Sequence, residues 1–486
     1  MFEISDRNIF ELSQINLIKV LSLEISGFET PGTKLGIYDA EITMSAICEL
    51  ILLELKRLNL STAHHEKLER LIKSNEEFFA VSTKNINAFD HLSFLKKHLI
   101  PLYHACVALH EASGIEFASE VISLPQSINW HSKSPFSKTF LNASFYSRIQ
   151  TKDSLKIKLG KLLFYDPILS KNNQRACASC HLPQRAFTDG KKKSTAFNLE
   201  GTVQRNSPTL TNVVYSSAFF YDLRAEMMGQ QIEHVVHSPL EFSTNFSEIE
   251  AKLSQFPDYI ALFKKAFPEA GGEINKPNLV TALSAFTQSQ IAWNSPFDKH
   301  LNSSGTSLDQ DAIAGFNLFM GKAQCGTCHF APNFSGLAAP WFEESESENI
   351  GTIEKWDTLH PKIDSDKGRS VSSKVKDRSS IFEGHFKTPT LRNIAFTAPY
   401  MHNGGLETLE EVIQFYNHGG GQGLGLDVAN QTLPADALEL TRQEQQQLVA
   451  FLQSLTDTNS LDLSTPVKLP QSANQQLNQR TIGGDY

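Results

Sequence analysis

The chain has 486 residues, 40% of them hydrophobic, and a formal net charge of −9 at pH 7. A chain of this length can form about three domains, and its mildly acidic composition contains no basic patch that would indicate nucleic-acid binding. It also contains no apolar run long enough to span a membrane, so we expect neither a nucleic-acid partner nor a membrane span.

Residues 1–150 are predicted to form an N-terminal helical domain followed by a connector. Ile42, Ile47, Leu50, Ile51 and Leu55 recur at spacings that fit one apolar helix face. A second apolar helix is predicted around residues 92–103. The histidines scattered through this region are expected to be structural or solvated rather than ligands.

Two of the six cysteines, Cys48 and Cys106, lie in this N-terminal region. They could pair as a disulfide in an oxidising compartment. They could equally remain as two buried free thiols, and the sequence leaves both alternatives open.

Residues 151–300 are predicted to form a first haem domain. A helix at 156–164 leads through a loop to Cys177, Cys180 and His181, which make a C-x-x-C-H motif. In such a motif the thiols add to the two vinyl groups of one porphyrin, and the adjacent imidazole reaches the iron as its proximal ligand.

Residues 301–455 are predicted to form a second haem domain with the same motif at Cys325, Cys328 and His329. A redox-active cysteine pair or a zinc site built from both pairs would not require a histidine after the second cysteine in both copies. A disulfide is the third alternative. The two motifs therefore predict two covalently bound haem c groups.

Other signals place the remaining elements of the second domain. Ser307 and Gln310 are spaced as a capping box, which predicts a helix leading to the second motif. The polar stretch 343–381 is predicted to be a long surface loop. Further helices are expected from Thr408 and Thr441, and residues 456–486 form a polar tail that wraps the surface or is disordered.

An internal repeat relates the two haem domains. The pattern G-x-x-L-F begins at Gly160 and again at Gly315, ahead of each cysteine motif. The pattern P-T-L-x-N begins at Pro208 and again at Pro389. These echoes predict a mainly α fold with two cytochrome-c-like haem domains in a pseudo-twofold relationship.

Residues 155–455 resemble the bacterial dihaem cytochrome c peroxidase and MauG family. Besides both haem motifs, the resemblance is carried by Asp222-x-Arg224-Ala225, by Pro239-x-Glu241 and by the run 386–404. It implies a peroxide-reactive first haem on His181 and an electron-handling second haem on His329. It also implies a calcium ion between the domains, at the matching positions Asn206, Thr397 and Pro399, and oxygen ligands suit calcium.

Departures from the family pattern favour its MauG-like branch. Peroxidases of the family close the resting first haem with a histidine about sixteen residues past the motif, and the stretch 194–203 contains none. The first haem is therefore expected to be open, with Gln231 and Glu241 at the matching distal positions and Glu241 as the group that moves the peroxide proton. His234 or His237 swinging in as a ligand is the alternative.

Two aromatic positions differ as well. The tryptophan that usually lies between the haems is replaced by Tyr221, which can also relay an oxidising equivalent. The tryptophan through which some MauG-type enzymes pass oxidising equivalents outward is replaced by Ala323, so that exit route is not supported.

The sixth ligand of the second haem is predicted to be Tyr416. By resemblance this ligand lies seventeen residues past Pro399, where peroxidases place methionine and MauG places tyrosine; here the residue is Tyr416. Met401 is the alternative ligand. Tyr416 could also be an ordinary core residue that binds no iron.

These features together predict a peroxide-using dihaem oxidoreductase of the MauG-like type, with the second haem storing or relaying oxidising equivalents to a protein or other donor. A cytochrome c peroxidase fed by a small cytochrome is the alternative within the same class, and a non-catalytic dihaem electron carrier is the alternative outside it. Because bacteria attach c-type haem outside the cytoplasm, we expect a periplasmic protein whose leader has been removed.

Overall fold

The computed structural model describes residues 6–117, 125–147, 153–303, 305–372, 374 and 377–485. These residues form a mainly helical protein, which confirms the predicted fold class. Their ladder-forming strands are one short antiparallel pair, β1 (Ser347–Glu348) and β2 (Phe386–Lys387). No helix among them is both long and apolar enough to cross a membrane.

The N-terminal region is helical from Asp6 to Ser113, with short π-helical stretches and loops between its helices. Its helices are α1 (Asp6–Lys19), α2 (Gly36–Arg57), α3 (Thr62–Val81), α4 (His91–Phe94) and α5 (Ile100–Ser113). Ile47, Ile51 and Leu55 of α2 point into the core as predicted, whereas Ile42 and Leu50 are 68% and 38% exposed. The buried face of α2 is therefore narrower than the sequence pattern suggested.

The core of the N-terminal helices continues into the core of the second haem domain as one hydrophobic cluster. The first haem domain has a core of its own. Cys48 and Cys106 are buried free thiols within the N-terminal region, and burial raises the pKa of Cys48 to about 11. Both thiols therefore stay protonated at neutral pH.

Among the described residues, six α-helices lie between residues 143 and 288, the first of them ahead of the predicted first haem domain. They are α6 (Ala143–Ser147), α7 (Ser154–Tyr165), α8 (Met228–His237), α9 (Phe246–Leu253), α10 (Pro257–Ala266) and α11 (Lys276–Gln288). Asp153 begins α7 by accepting hydrogen bonds from the amides of Leu155 and Lys156, and Asp166-Pro167 ends it.

The second haem domain contains α12 (Pro296–Asn302), α13 (Gln310–Met320), α14 (Leu409–Asn417), α15 (Gly420–Gly423) and α16 (Arg442–Ser454). Thr408 and Thr441 cap α14 and α16 as predicted. The predicted cap at Ser307 is wrong, because α13 begins two residues later and is capped by the Asp309 side chain. Aspartate is as good a cap as serine, so the capping-box pattern misplaced the helix start.

The two glycines of the G-x-x-L-F repeat explain why the haem domains share one helix pairing. α7 crosses α11 at Gly160, and α13 crosses α16 at Gly315. A Cβ atom on Gly160 would lie 1.8 Å from the carbonyl oxygen of Ala282, and one on Gly315 would lie 1.9 Å from that of Gln447. Only glycine allows such an approach, so the repeat marks the same close helix crossing twice.

The stretch 343–381 does not remain on the surface as predicted. Ser347, Asn349 and Thr352 are buried, and β1 pairs with β2 within the second domain. Asp366 reaches across to the first domain, where its carboxylate accepts two hydrogen bonds from Arg205 at 2.7 and 2.9 Å. This stretch therefore forms part of the junction between the haem domains.

The polar tail returns to the first haem domain. Arg480 forms a buried ion pair with Asp166 at 2.7 Å, and Tyr259 donates a 2.7 Å hydrogen bond to the same carboxylate. Ser179, inside the first cysteine motif, donates a 2.8 Å hydrogen bond to the carbonyl oxygen of Gly483. Of the two outcomes expected for the tail, the structure has the one in which it wraps the surface.

Candidate functional site

Both cysteine motifs open onto one continuous cavity of about 1870 Å³. Ordinary small-molecule sites measure roughly 300–1,000 Å³, so this space suits more than one large cofactor. Its wall includes all six motif side chains, namely Cys177, Cys180, His181, Cys325, Cys328 and His329. The prediction that these six residues hold two haem groups therefore agrees with the space available beside them.

The two motif histidines are oriented alike. Nδ1 of His181 lies 2.8 Å from the carbonyl oxygen of Phe187, and Nδ1 of His329 lies 3.2 Å from that of Phe334. A carbonyl only accepts, so Nδ1 carries the proton and Nε2 keeps its lone pair for a metal. Burial lowers the pKa of His329 to about 4 and also lowers the pKa of His181. Both rings are thus neutral imidazoles, the form that binds haem iron.

The second repeat, P-T-L-x-N, holds the loop that follows each motif. The Thr390 hydroxyl donates a 2.7 Å hydrogen bond to the carbonyl oxygen of Asn333, and the Thr209 hydroxyl donates likewise to that of Ala186. The two asparagines that end the repeats, Asn212 and Asn393, have φ values of 59° and 61°, a left-handed conformation that asparagine tolerates well. The repeat therefore encodes loop geometry on the histidine side of each motif.

None of the four motif cysteines is paired in a disulfide. Burial raises the pKa of Cys177 and of Cys325 to about 12. Across the described ranges, no three His, Cys, Asp or Glu side chains are grouped so as to hold a metal ion. The two cysteine pairs therefore do not converge on one zinc site, and the disulfide alternative does not match the free thiols.

The first half of the cavity carries both predicted distal residues. Gln231 projects from α8, Glu241 follows four residues after its end, and both line the cavity. Burial raises the pKa of Glu241. A hydrogen bond with Ser238 and the positive charge of Arg224 lower the pKa and offset part of this increase. Such a carboxyl group can take up and release a proton nearer neutral pH than a free glutamate.

His234 and His237 face away from this half of the cavity. Both side chains are exposed, neither lines the cavity, and His234 packs edge-on against Phe220 at 5.6 Å between ring centroids. The geometry therefore does not support either histidine as a ligand of the first haem.

Tyr221 lies where the two haem domains meet. Its hydroxyl is 3.4 Å from Oδ1 of Asn206, and its carbonyl oxygen accepts a 2.7 Å hydrogen bond from the amide of Lys387 on β2. Burial raises its pKa above the usual range. A half-buried, neutral tyrosine at this junction fits the predicted relay position.

The predicted calcium ligands Asn206, Thr397 and Pro399 all line the cavity. The Asn206 side-chain amide donates a 2.8 Å hydrogen bond to the carbonyl oxygen of Lys191, which turns Oδ1 the other way. The Asn206 backbone amide donates to the carbonyl oxygen of His402 at 2.7 Å. An amide oxygen and backbone carbonyls are ligands that calcium prefers, so the arrangement fits the prediction.

The second half of the cavity contains both candidate axial ligands. Tyr416 lies in the last turn of α14 and lines the cavity. Burial and the nearby Cys328 and Cys325 raise its pKa above the usual range. Met401, in a left-handed turn with φ of 70°, lines the cavity as well. The structure thus brings both side chains to this wall, and Tyr416 remains the prediction.

Three groups on the cavity wall were not predicted from the sequence. Lys387 is half-buried, donates a 3.3 Å hydrogen bond to the carbonyl oxygen of Ala218, and has a pKa lowered to about 8 by desolvation. Glu346, directly before β1, and Glu348, in β1, also line the cavity. Lys387 could have been found from the sequence, because it is a charged residue directly before Thr388-Pro389 in a run that carries the family resemblance. Glu346 and Glu348 were missed because they lie in the stretch that was predicted to be a surface loop.

Known proteins match this chain over most of the two haem domains. The family model described as di-haem cytochrome c peroxidase matches residues 154–306. Methylamine utilization protein MauG of Methylorubrum extorquens is 31% identical over 303 residues, 62% of this chain and 78% of that protein. Cytochrome c551 peroxidase of Nitrosomonas europaea is 32% identical over 319 residues, 65% of this chain and 84% of that protein.

Two solved structures are also similar to this chain. A crystal structure of a MauG-like protein associated with microbial copper homeostasis is 26% identical, with a TM-score of 0.55, and covers 72% of this chain and 100% of its own. The diheme peroxidase BthA of Burkholderia thailandensis is similar in fold, with 22% identity, a TM-score of 0.51, and coverage of 66% of this chain and 90% of its own.

Proposed function

This chain belongs to the dihaem cytochrome c peroxidase and MauG family of oxidoreductases, and we propose that it works in the MauG-like manner. In this proposal hydrogen peroxide reacts at an open first haem site, and a protein or other donor is oxidised. The family implies two haem c groups, a peroxide substrate and cytochrome redox partners.

One observation carries the MauG-like assignment. Among the described residues of the first haem domain, His181 is the single histidine on the cavity wall. The stretch 194–203, where the closing histidine of the peroxidases would lie, contains none. A first haem held by His181 would therefore keep its opposite face free for peroxide.

When bound, the first haem supplies the iron at which the O–O bond of peroxide is cleaved, and the second haem stores or relays an oxidising equivalent. In this proposal the Glu241 carboxyl group would take a proton from bound peroxide and return one to the departing oxygen. Gln231 lines the same space and can orient the peroxide through its amide. Tyr221, at the domain junction, is the proposed relay.

At the second site we propose that Tyr416, together with His329, would hold the haem iron. Tyr416 lies in the last turn of α14 and lines the same cavity as the second motif. We also propose a calcium ion on Asn206, Thr397 and Pro399, and a periplasmic location, because covalent haem attachment takes place outside the bacterial cytoplasm.

A cytochrome c peroxidase reaction is the second candidate, because a relative named as a peroxidase is as similar to this chain as MauG is, at 32% and 31% identity. The two reactions differ in whether the first haem must be opened by reduction. This difference gives a direct experiment.

Oxidised holoprotein is mixed with hydrogen peroxide in a stopped-flow spectrophotometer, with a one-electron-reduced sample in parallel. We expect a spectral change of the oxidised protein at the same rate as in the reduced sample. A change that occurs only after reduction would place the protein with the reductively activated peroxidases. If both irons are six-coordinate and neither sample changes its spectrum with peroxide, only an electron-carrier role remains.

A further inference from the structure

Lys387 crosses the junction between the two haem domains. Its backbone belongs to β2 of the second domain, and its amide donates a 2.7 Å hydrogen bond to the carbonyl oxygen of Tyr221 in the first domain. Its Nζ atom also reaches the first domain, where it donates a 3.3 Å hydrogen bond to the carbonyl oxygen of Ala218. The residue lines the cavity beside both motifs. A cation is therefore held between the two domains on the wall of this space.

The Lys387 ammonium group has few polar partners. An ammonium group carries three N–H donors and no acceptor, and the contact with Ala218 supplies one neutral carbonyl oxygen. In the part of the chain that the structure describes, no carboxylate lies within ion-pair distance of Nζ. A cation that is removed from water without an anion is unfavourable, and desolvation lowers the pKa of Lys387 to about 8. The wall thus carries a cation whose counter-ion is not a described side chain.

The carboxylate whose charge acts on Lys387 already serves two other cations. That carboxylate is Asp222, which raises the pKa of Lys387 and is 4% exposed. Its oxygens accept hydrogen bonds from Arg205 at 2.8 Å and from Arg224 at 2.9 Å. A buried carboxylate that pairs with two guanidinium groups has little capacity left for an ammonium group. Asp222 is therefore committed to the two arginines.

The register of the strand pair keeps a cavity glutamate away from Lys387. Lys387 lies opposite Ser347, and Phe386 lies opposite Glu348. Residues that lie opposite each other project from the same face, and successive residues project from opposite faces. The side chain of Glu348 is therefore on the other face from that of Lys387. The Ser347 hydroxyl accepts a 2.8 Å hydrogen bond from Arg369, so the strand pair supplies no anion to Lys387.

The expected occupant of the cavity brings such an anion. A haem group carries two propionate side chains, which are carboxylates at neutral pH. Once the motif cysteines have taken up the vinyl groups, the propionates remain as the anionic groups of the porphyrin. A hydrogen bond between an ammonium group and a carboxylate is roughly twice as strong as one between neutral groups. The cation on the wall and the anion on the cofactor are therefore complementary.

We propose that Lys387 binds a propionate carboxylate of a haem held in this cavity. The ammonium group has donors for both the carboxylate and the carbonyl oxygen of Ala218, so one side chain links the cofactor, β2 and the first domain. Haem binding then supplies the counter-ion that the described chain leaves out at the domain junction. The inference rests on the two haem groups of the proposed function and not on its peroxide reaction.

The test uses the holoprotein, resonance Raman spectroscopy and redox titration. The propionate bending band of the Raman spectrum reports hydrogen bonding to the propionates. We expect Lys387→Met to shift this band and to lower the equilibrium constant for reduction of one haem about tenfold, or about 59 mV, because a nearby positive charge favours the reduced iron. Lys387→Arg, which keeps the charge and the donors, should retain the wild-type band and potentials.

Lys252→Met is the matched control. Lys252 is also half-buried, and desolvation likewise lowers its pKa to about 8. It donates a 2.6 Å hydrogen bond to the carbonyl oxygen of Ser170, but it does not line the cavity. This variant should change neither the propionate band nor either potential.

Haem staining first shows that both groups remain attached in each variant, as expected because attachment depends on the cysteines. An unchanged propionate band with unchanged potentials in Lys387→Met would overturn the proposal. Equal shifts in Lys387→Met and Lys252→Met would overturn it as well, because the effect would then not depend on the cavity wall. A wild-type protein that holds both haems and does not react with peroxide would instead refute the proposed function, so the two failures are separate observations.

Discussion

The two haem domains are built alike around the histidine of each motif and differ elsewhere on the cavity wall. On the histidine side, each domain repeats the glycine helix crossing, the hydrogen bond from Nδ1 to a carbonyl oxygen and the left-handed asparagine. Elsewhere on the cavity wall, the first domain presents Gln231 and Glu241, whereas the second presents Tyr416 and Met401. The shared side would hold a cofactor, and the differing side would decide what each cofactor does.

The two motifs also differ in what covers them. The polar tail closes on the first motif through Gly483, and the N-terminal domain closes on the second through Ser26 and Phe28. Both covers come from outside the region that resembles the family. Each site therefore has its own surroundings even though the attachment loops match.

The largest effect on the peroxide reaction is expected when one motif histidine is replaced at a time. His181→Gly should abolish the peroxide reaction and leave the second haem attached, because each C-x-x-C-H motif holds its own porphyrin. His329→Gly should leave peroxide binding at the first site. Stopped-flow mixing and haem staining measure both. Full peroxide turnover by His181→Gly would show that the reactive site has been assigned to the wrong domain.

The second-largest effect is expected at Glu241, which has no counterpart in the second domain. Removing a positioned acid–base group typically costs roughly 10²–10⁴ in rate, and we expect a loss in this range for Glu241→Gln. Burial raises the pKa of Glu241, so a rate that needs its carboxylate should rise with pH through that raised pKa, and the glutamine variant should lose this limb. Glu233→Gln, on the outward face of α8 where it pairs with Lys276, is the control. An unchanged pH profile in Glu241→Gln would remove this residue from the mechanism.

A smaller effect tests the likeness of the two domains. Gly160→Ala and Gly315→Ala each force a methyl group to within 2 Å of a carbonyl oxygen, at 1.8 and 1.9 Å, and overpacking of this kind costs roughly 1–3 kcal/mol. Gly305→Ala meets no atom within 4 Å and should be neutral. Denaturant unfolding would record the losses. Strongly unequal losses for the two crossing glycines would show that the repeat does not carry equal structural weight in both domains.

The smallest expected change in the peroxide reaction comes from Tyr416 and Met401 of the second domain. These two residues also give the sharpest contrast between the domains. Tyr416→Phe should remove the sixth ligand of the second iron and raise its potential, because a phenolate stabilises ferric iron. Met401→Leu should leave both unchanged. Near-infrared absorption and redox titration distinguish the variants. A thioether signature lost in Met401→Leu alone would make Met401 the ligand and weaken the MauG-like assignment.

Local patterns in the sequence were enough to predict the mainly α fold, the two motifs and the helix caps at Thr408 and Thr441. They failed where the answer depends on distant contacts. Arg205 and Asp366 are 161 residues apart, so nothing local shows that the stretch 343–381 belongs to the domain junction. The contact of Ser22 with Ala331 spans 309 residues, so the sequence predicted helices at the N-terminus without indicating what they cover.

The tail contact at the first motif has a consequence for maturation. Gly483, whose carbonyl oxygen holds Ser179, is made 304 residues after it, so during synthesis the first attachment loop has no cover. The thiols of Cys177 and Cys180 would therefore be accessible to the haem-attachment machinery until the tail arrives and the buried pair of Arg480 with Asp166 forms. If haem is attached at this motif before the tail docks, the tail would then close the loaded site.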